Sequence, residues 1–325
     1  MLVAIPLSSC NNIYAHGMKK VLNLTSGNFS FPPRFLRVCR RWYSRPLRWQ
    51  PLRRLCDGSE YCFVAEAFEP ALPALLPLGH FSQLPAIRKW FLQDENLQVG
   101  THLNTDYLSA FKNAIVPLEL TRMASTSDDG LNDGSFQRGE APFDVFLDWA
   151  ENATEETNER IYLAQASIRD LPQLLRDDLH TPDLVLRAAK GEIYDTSIWL
   201  GISPTFTPLH KDPNPNLFVQ LAGSKVVRLL PPEAGQEVFA AVQAALGRST
   251  SASFRGTEMM EGEEKAMLEA AIWNSSAPEH DHIFAGQEAH LSCGDGLFIP
   301  RGWWHSVKGI GTGITGSVSE PYKSL

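Results

Sequence analysis

Ser197-Ile198-Trp199-Leu200-Gly201-Ile202-Ser203-Pro204-Thr205-Phe206-Thr207-Pro208-Leu209-His210-Lys211-Asp212 is the stretch that decides the fold. It reads as one strand, a Gly/Ser/Pro turn, and a second strand that ends on two chemically capable residues. Outward from it the pattern continues. Leu217 to Leu221 is a third strand, and Ala222-Gly223-Ser224 a tight turn. Lys225 to Leu230 is a fourth, stopped by Pro231-Pro232. Further on, Ala289-His290-Leu291 reads as a strand, and the turn Gly294-Asp295-Gly296 precedes Leu297-Phe298-Ile299. Pro300-Arg301-Gly302 then leads into Trp303-Trp304-His305. Short strands at regular spacing with turn signals predict a sandwich or barrel.

His210 and Asp212 fall on one face of their strand, because side chains alternate with a period of two. A lone H-x-D triplet is common, and its ordinary reading is a polar strand edge. His305, 95 residues after His210, adds a third donor from a distant strand. Two imidazoles and one carboxylate with open positions suit a non-haem Fe(II) oxygenase. Other histidines fit less well. His180 sits in a helix–loop stretch, and His280-Asp281-His282 imitates a ligand pair inside a loop marked by Pro278. Lys225 is placed on an inward face with Val227 and Leu229, where an ammonium is costly to bury without a partner. Its ordinary alternative is a lysine on an exposed strand edge.

These motifs together resemble a known family. Thr207-Pro208-x-His210-x-Asp212, Lys225 fifteen residues after His210, and Gly294-Asp295-x-x-Phe298-Ile299-Pro300-x-x-Trp303-x-His305 are similar to the JmjC (cupin-like) 2-oxoglutarate oxygenases. Within these the chain looks closest to the small hydroxylase-type members, such as the asparaginyl hydroxylase that inhibits hypoxia-inducible factor. The resemblance covers roughly residues 140 to 323. It implies a mainly β fold with flanking helices, the double-stranded β-helix or jelly roll. It implies Fe(II) held by His210, Asp212 and His305, with 2-oxoglutarate as cosubstrate. Lys225 would pair with the distal carboxylate, and Thr207 would bond the same group. Ideal alternation sets Thr207 opposite His210, so that role needs a distortion near Pro208. Tyr162 and Asn216 match further cosubstrate-site residues. Ser319 stands where relatives often carry asparagine on the last strand, a shorter donor. Trp199, Trp303 and Trp304 are candidates for the pocket wall, with buried core the ordinary role for at least two.

The chain has 325 residues, enough for a large core in one elaborated domain or two. A hydrophobic content of 43% and a charged content of 20% are those of an ordinary globular protein. No apolar stretch approaches a membrane span. Five cysteines without a C-x-x-C argue against a disulfide framework or zinc ribbon. Cys10, Cys39, Cys56 and Cys62 lie in the first 62 residues, and Cys293 reads as a small buried residue. Charge is segregated. The first 56 residues hold ten Lys/Arg and no Asp/Glu, leaving 19 basic against 37 acidic residues in the remainder. An Arg-rich, acid-free start predicts a transit peptide over 1–43, with Arg41-Trp42-Tyr43-Ser44 as cleavage site and a mitochondrial destination. The alternative, in a cytoplasmic or nuclear protein, is a basic solvated, disordered arm, or an arm that binds nucleic acid. Met18 is a second candidate start. No apolar run marks a secretory signal, so the sequons at Asn152 and Asn274 read as chance. The acidic remainder argues against nucleic-acid binding by the catalytic region.

Residues 44–140 are expected to form a mixed, partly helical region packed on the core, with 141–325 as the catalytic domain. Phe81 to Leu92 reads as an amphipathic helix, Tyr107 to Val116 as a short strand or helix, and 125–142 as a polar loop. Pro142 to Ala150 reads as a helix, Ile161 to Ala166 as a strand, and Leu171 to Leu179 as a short helix. The insertion 233–286 carries a helix from Glu237 to Leu246 and an acidic one from Glu261 to Trp273. It is expected to shape substrate choice or a homodimer contact, or to be a tolerated surface loop. The leading function is hydroxylation of a protein or peptide side chain. N-methyl demethylation, a catalytically silent cupin-like binding protein and a zinc-dependent cupin such as a sugar isomerase are the alternatives.

Overall fold

The computed structural model describes residues 48–93, 100–122, 135–154, 157–188, 195–248, 262–274 and 285–321. The expected transit peptide with its cleavage site, Cys10, Cys39, His280 and His282 lie outside them. The strands are β1 (Arg48–Pro51), β2 (Ala74–Leu75), β3 (Phe91–Gln93), β4 (Thr101–Leu103), β5 (Ile115–Arg122), β6 (Phe136–Pro142), β7 (Glu159–Ser167) and β8 (Ser197–Ile202). They continue as β9 (Thr205–Lys211), β10 (Asn216–Ala222), β11 (Ser224–Leu230), β12 (Ala285–Leu291), β13 (Gly296–Ile299), β14 (Trp304–Ile310) and β15 (Ile314–Pro321).

Two sheets face each other. One runs β1-β12-β11-β14-β9, the other β2-β13-β10-β15-β8-β7-β5-β6. Pairing is antiparallel except for β1 beside β12. This is the jelly-roll core with flanking helices that the strand spacing and the resemblance pointed to. Alternation sorts every strand. Val227 and Leu229 of β11 meet Phe218, Leu297 and Ile299 of the other sheet in the space between. Leu217, Val219 and Leu221 of β10 turn outward, into a larger core with Phe63, Phe146 and Leu175 from the helical layer. Each such aliphatic side chain taken out of water stabilises the fold by roughly 1.5–3 kcal/mol.

Several expectations need correction. Helix over 81–92 shrinks to Pro85–Lys89, because Pro85 is tolerated only in the first turn, and Phe91 already pairs with Leu103 in β3–β4. The polar loop over 125–142 is a strand from Phe136 onward. Its composition hid it, because β6 is an edge strand with mostly exposed side chains, paired only to β5. The segment 48–140 also contributes strands to both sheets as well as packing on them. Tyr107 lies within a short helix, Thr105–Leu108, ahead of β5.

The insertion is a structural layer where described. Its first helix starts at Pro232, earlier than expected, and its second spans Gly262–Trp273. Val238, Phe239, Val242, Leu268 and Ile272 pack on Leu209, Leu230 and Trp304, covering the outer face of the β9-bearing sheet. Gly235 lies so close to Trp304 that a Cβ there would fall 2.1 Å from its Cγ. No helix among the described residues is long and apolar enough to cross a membrane.

Asp178 ties the helical layer together. Its buried carboxylate accepts hydrogen bonds from Lys89 Nζ at 2.6 Å, Trp90 Nε1 at 2.9 Å and the Tyr107 hydroxyl at 2.6 Å. Burial alone would raise its pKa, but these three donors outweigh it and hold the carboxyl below its ordinary range. Asp178→Ala leaves a buried indole N–H and a phenol without their acceptor, and is expected to cost about 2–4 kcal/mol in a denaturant titration. A depressed carboxyl contributes stability at neutral pH that is lost as pH falls through the folded-state pKa. The stability gap between wild type and Asp178→Ala should therefore narrow in acid.

Candidate metal centre

Two strands and the turn after one of them converge on the site. β9 and β14 pair so that His210 faces His305, and β9 ends one residue before Asp212. The ring centroids of His210 and His305 are 4.2 Å apart. The Nε2 atoms of His210 and His305 lie 3.9 and 3.7 Å from the two Asp212 carboxylate oxygens. One ligand atom from each residue falls within 4.8 Å of the others. The other ring nitrogens are occupied. His210 Nδ1 lies 2.8 Å from the Pro208 carbonyl, and His305 Nδ1 lies 3.4 Å from that of Trp303. Those carbonyls call for the Nδ1–H tautomer, leaving both Nε2 lone pairs aimed at the common point. Burial, then the neighbouring His210, push the His305 imidazole down to about 4, so it is neutral, the form that ligates. Asn216 Nδ2 donates to Asp212 Oδ2 at 3.3 Å and steadies the third donor.

The register between β9 and β14 shifts between the His305 and Val307 positions, where Pro208 and Leu209 of β9 stand opposite Ser306 alone. This bulge returns Thr207 to the same face as His210, opposite Val307. It is the distortion that alternation alone required.

Lys225 is buried on β11, in the space between the sheets. Its Nζ donates to Ser317 Oγ at 2.7 Å and lies 5.3 Å from the centre of the Phe218 ring. Among the described residues no carboxylate lies within ion-pair range of it. Burial pushes its ammonium down to about 7. Ser319 sits two residues from Ser317 on the same strand face, opposite Phe218, so the serine that meets Lys225 is Ser317. Tyr162 packs over Gly201, where a Cβ would lie 2.3 Å from its ring. Burial, with Glu119 adding, pushes its phenol above the usual range and keeps it a donor. Asn216 Oδ1 and Gln220 Oε1 are buried with no partner. A buried ammonium with a hydroxyl for its hydrogen-bond partner and no carboxylate, set between the same sheets as a two-histidine, one-carboxylate group, fits a divalent transition-metal ion together with an anionic ligand.

The tryptophans divide. Trp304 belongs to the layer under the insertion helices, Trp303 to the core between the sheets, and Trp199, half-buried opposite Ser317, shares the face that Ser317 turns to Lys225. His180 is exposed. Cys293 donates to the Leu221 carbonyl at 3.0 Å. Sequence reasoning missed Ser317, Gln220 and Glu119. The two-residue period sets Ser317 on the face of Ser319 without choosing between them, and sets Glu119 on the face opposite Leu118.

Comparison with known proteins gives a family. A model described as a cupin-like domain matches residues 73–319. The chain is 27% identical over 249 residues to Lysine-specific demethylase JMJ30 of Arabidopsis thaliana, covering 76% of this chain and 49% of that protein. It is 29% identical over 167 residues to Lysine-specific demethylase 8 of Danio rerio, covering 51% and 37%. Jumonji C domain-containing protein 5 of Drosophila melanogaster is 25% identical over 251 residues, covering 76% and 54%. The chain thus spans about half or less of the length of these curated relatives. Their names lend no support to a special closeness to the asparaginyl hydroxylase. The matched region runs from the start of β2 into β15, takes in every strand of the two sheets but β1 and all three donor residues, and places this chain in the cupin-like domain family.

Proposed function

We propose that this protein is an Fe(II)- and 2-oxoglutarate-dependent oxygenase acting on a side chain of a protein or peptide. One observation carries the reading: the His210–Asp212–His305 donor set shares its chamber with Lys225, a buried cation lacking a carboxylate partner. His210, Asp212 and His305 would hold the iron, and iron with 2-oxoglutarate and O2 would supply oxidation of a C–H bond, one oxygen atom going to the substrate and the other to succinate as the cosubstrate loses CO2. Lys225 and Ser317 would hold the distal carboxylate, and Thr207, on the same face as His210, borders it. Tyr162 stays protonated and offers a hydrogen bond. The apolar cluster around Val227, Leu229 and Phe218 keeps water from the chamber floor.

Hydroxylation of a carbon and removal of an N-methyl group share this first oxidation. The names of the relatives favour the second. A hydroxylated N-methyl group breaks its C–N bond and leaves as formaldehyde. Incubation of the purified protein with iron, 2-oxoglutarate, oxygen and libraries of plain and methyl-lysine peptides separates the two. A product heavier by one oxygen indicates hydroxylation. A product lighter by one methylene, with equimolar formaldehyde, indicates demethylation. An iron-loaded protein that yields no succinate with or without any peptide would leave the oxygenase reading without support.

A further inference from the structure

Cys56 and Cys62 lie outside the chamber just described. Leu55 and Phe63, their chain neighbours, are buried in the core and fix the backbone at both ends of the pair. A capped turn joins them. Asp57 Oδ1 accepts from Ser59 N at 2.9 Å and Ser59 Oγ at 2.5 Å, and Ser59 Oγ accepts from Cys62 N at 3.2 Å. The turn folds Cys56 back on the helix Glu60–Phe63, and the two sulfurs stand 3.8 Å apart. Glu66, one helical turn on, brings Oε1 to 3.5 Å from Cys62 Sγ. All three donor atoms lie within 4.8 Å of one another. Among the described residues, this is the one such group besides the triad.

We propose that Cys56, Cys62 and Glu66 form a second metal site, for a thiophilic divalent cation such as zinc. The spacing carries the inference. A tetrahedral zinc ion with Zn–S of about 2.3 Å and Zn–O of about 2.0 Å sets its two sulfurs roughly 3.75 Å apart and each sulfur roughly 3.5 Å from a carboxylate oxygen. The observed separations are 3.8 and 3.5 Å. Asp57 Oδ2, 3.9 Å from Cys56 Sγ, borders the fourth position, which water reaches because Cys56 is exposed. Arg53 Nη1 holds Glu66 Oε2 at 3.2 Å, and its other terminal nitrogen donates to the Glu66 carbonyl. That orients the carboxylate and leaves Oε1 to face the sulfurs. Binding releases both thiol protons to solvent. The ion would clamp the segment that carries Arg53 and Leu55 against β2, where Leu55 N donates to the Leu75 carbonyl. Five residues separate the two cysteines, and the carboxylate comes from a helix beyond, so no zinc-knuckle spacing announces the site.

The test uses the full chain, purified under reductant and stripped of metal, in an Asp212→Ala background that disables the triad. Cobalt(II) is the probe, followed by zinc. One equivalent of cobalt should produce a thiolate-to-metal charge-transfer band in the near ultraviolet and the strong visible bands of tetrahedral cobalt, and zinc should bleach both. Cys56→Ser/Cys62→Ser should abolish the band, and Glu66→Gln should weaken zinc binding about tenfold or more. Should the double variant misfold, Cys56→Ala alone, at an exposed position, serves in its place. Three results overturn the proposal. One is no charge-transfer band at stoichiometric cobalt. Another is a band that persists without these cysteines. The third is a Cys56–Cys62 disulfide recovered in place of metal from protein kept under reductant.

Discussion

Asp212→Ala is expected to lower succinate formation by about three orders of magnitude or more, while the fold survives. Outer-shell partners of a metal ligand are worth roughly 10–100-fold in affinity or activity, so the loss of a ligand costs more. The structural cost is small for a specific reason. Asp212 is half-buried, and its close partners are two imidazoles of which His305 is held neutral, together with the Asn216 amide. Its removal should change stability by no more than about 1 kcal/mol. Thermal melting of the metal-free proteins checks this against succinate release. Asn216→Ala is the graded control. It leaves all three ligands, frees the Asp212 carboxylate, and should weaken metal binding about 10–100-fold.

Lys225→Met should raise the half-saturating 2-oxoglutarate concentration by about 100-fold or more, corresponding to roughly 3 kcal/mol, with iron binding unchanged. Methionine fills most of the same volume beside Phe218 and needs no counter-charge. The buried ammonium has only the Ser317 hydroxyl and the Phe218 ring for company, so the folded protein without cosubstrate should be at least as stable with methionine. The pH dependence has a definite sign. Lys225 is lowered to about 7 in the folded protein by burial, whereas an unfolded lysine titrates near 10.4. Between these values the unfolded chain binds the extra proton, so stability rises with pH. The penalty is fully present below about 7 and relieved as pH climbs past it. The melting-temperature difference between Lys225→Met and wild type should therefore shrink from pH 6 to pH 9. Cosubstrate affinity should move oppositely in the wild type, weakening above pH 7 as the free amine loses its charge. Isothermal titration of both proteins across that range measures both trends.

The core of this site was legible because it is written with short periods. The H-x-D triplet needs only the two-residue alternation of a strand, and turns at Gly223 and Gly294 delimit the strands around it. What escaped depends on pairing between distant strands. Ser317, not Ser319, meets Lys225, because the register of β15 on β10 decides which serine lies nearest, and no local pattern encodes it. Thr207 shares a face with His210 only through a bulge, which the sequence signals as Pro208 but cannot locate in register. β6 was lost for a different reason. An edge strand has one paired side and little burial, so its composition is that of a loop. The insertion helices were found, but their role was not. Their apolar residues match Leu209, Leu230 and Trp304 on strands far away in sequence. The Cys56–Cys62 pair was invisible as a site because its third donor depends on how a capped turn meets a helix.

An anaerobic titration of the Fe(II)-loaded protein with 2-oxoglutarate, followed in the visible region, tests the triad and Lys225 together. A weak metal-to-ligand charge-transfer band that saturates at one equivalent of cosubstrate is expected. The band should require about 100-fold more cosubstrate in Lys225→Met and be absent in Asp212→Ala. A wild-type protein that binds iron yet shows no band at saturating 2-oxoglutarate, or an Asp212→Ala protein that shows the full band, would contradict the proposed site.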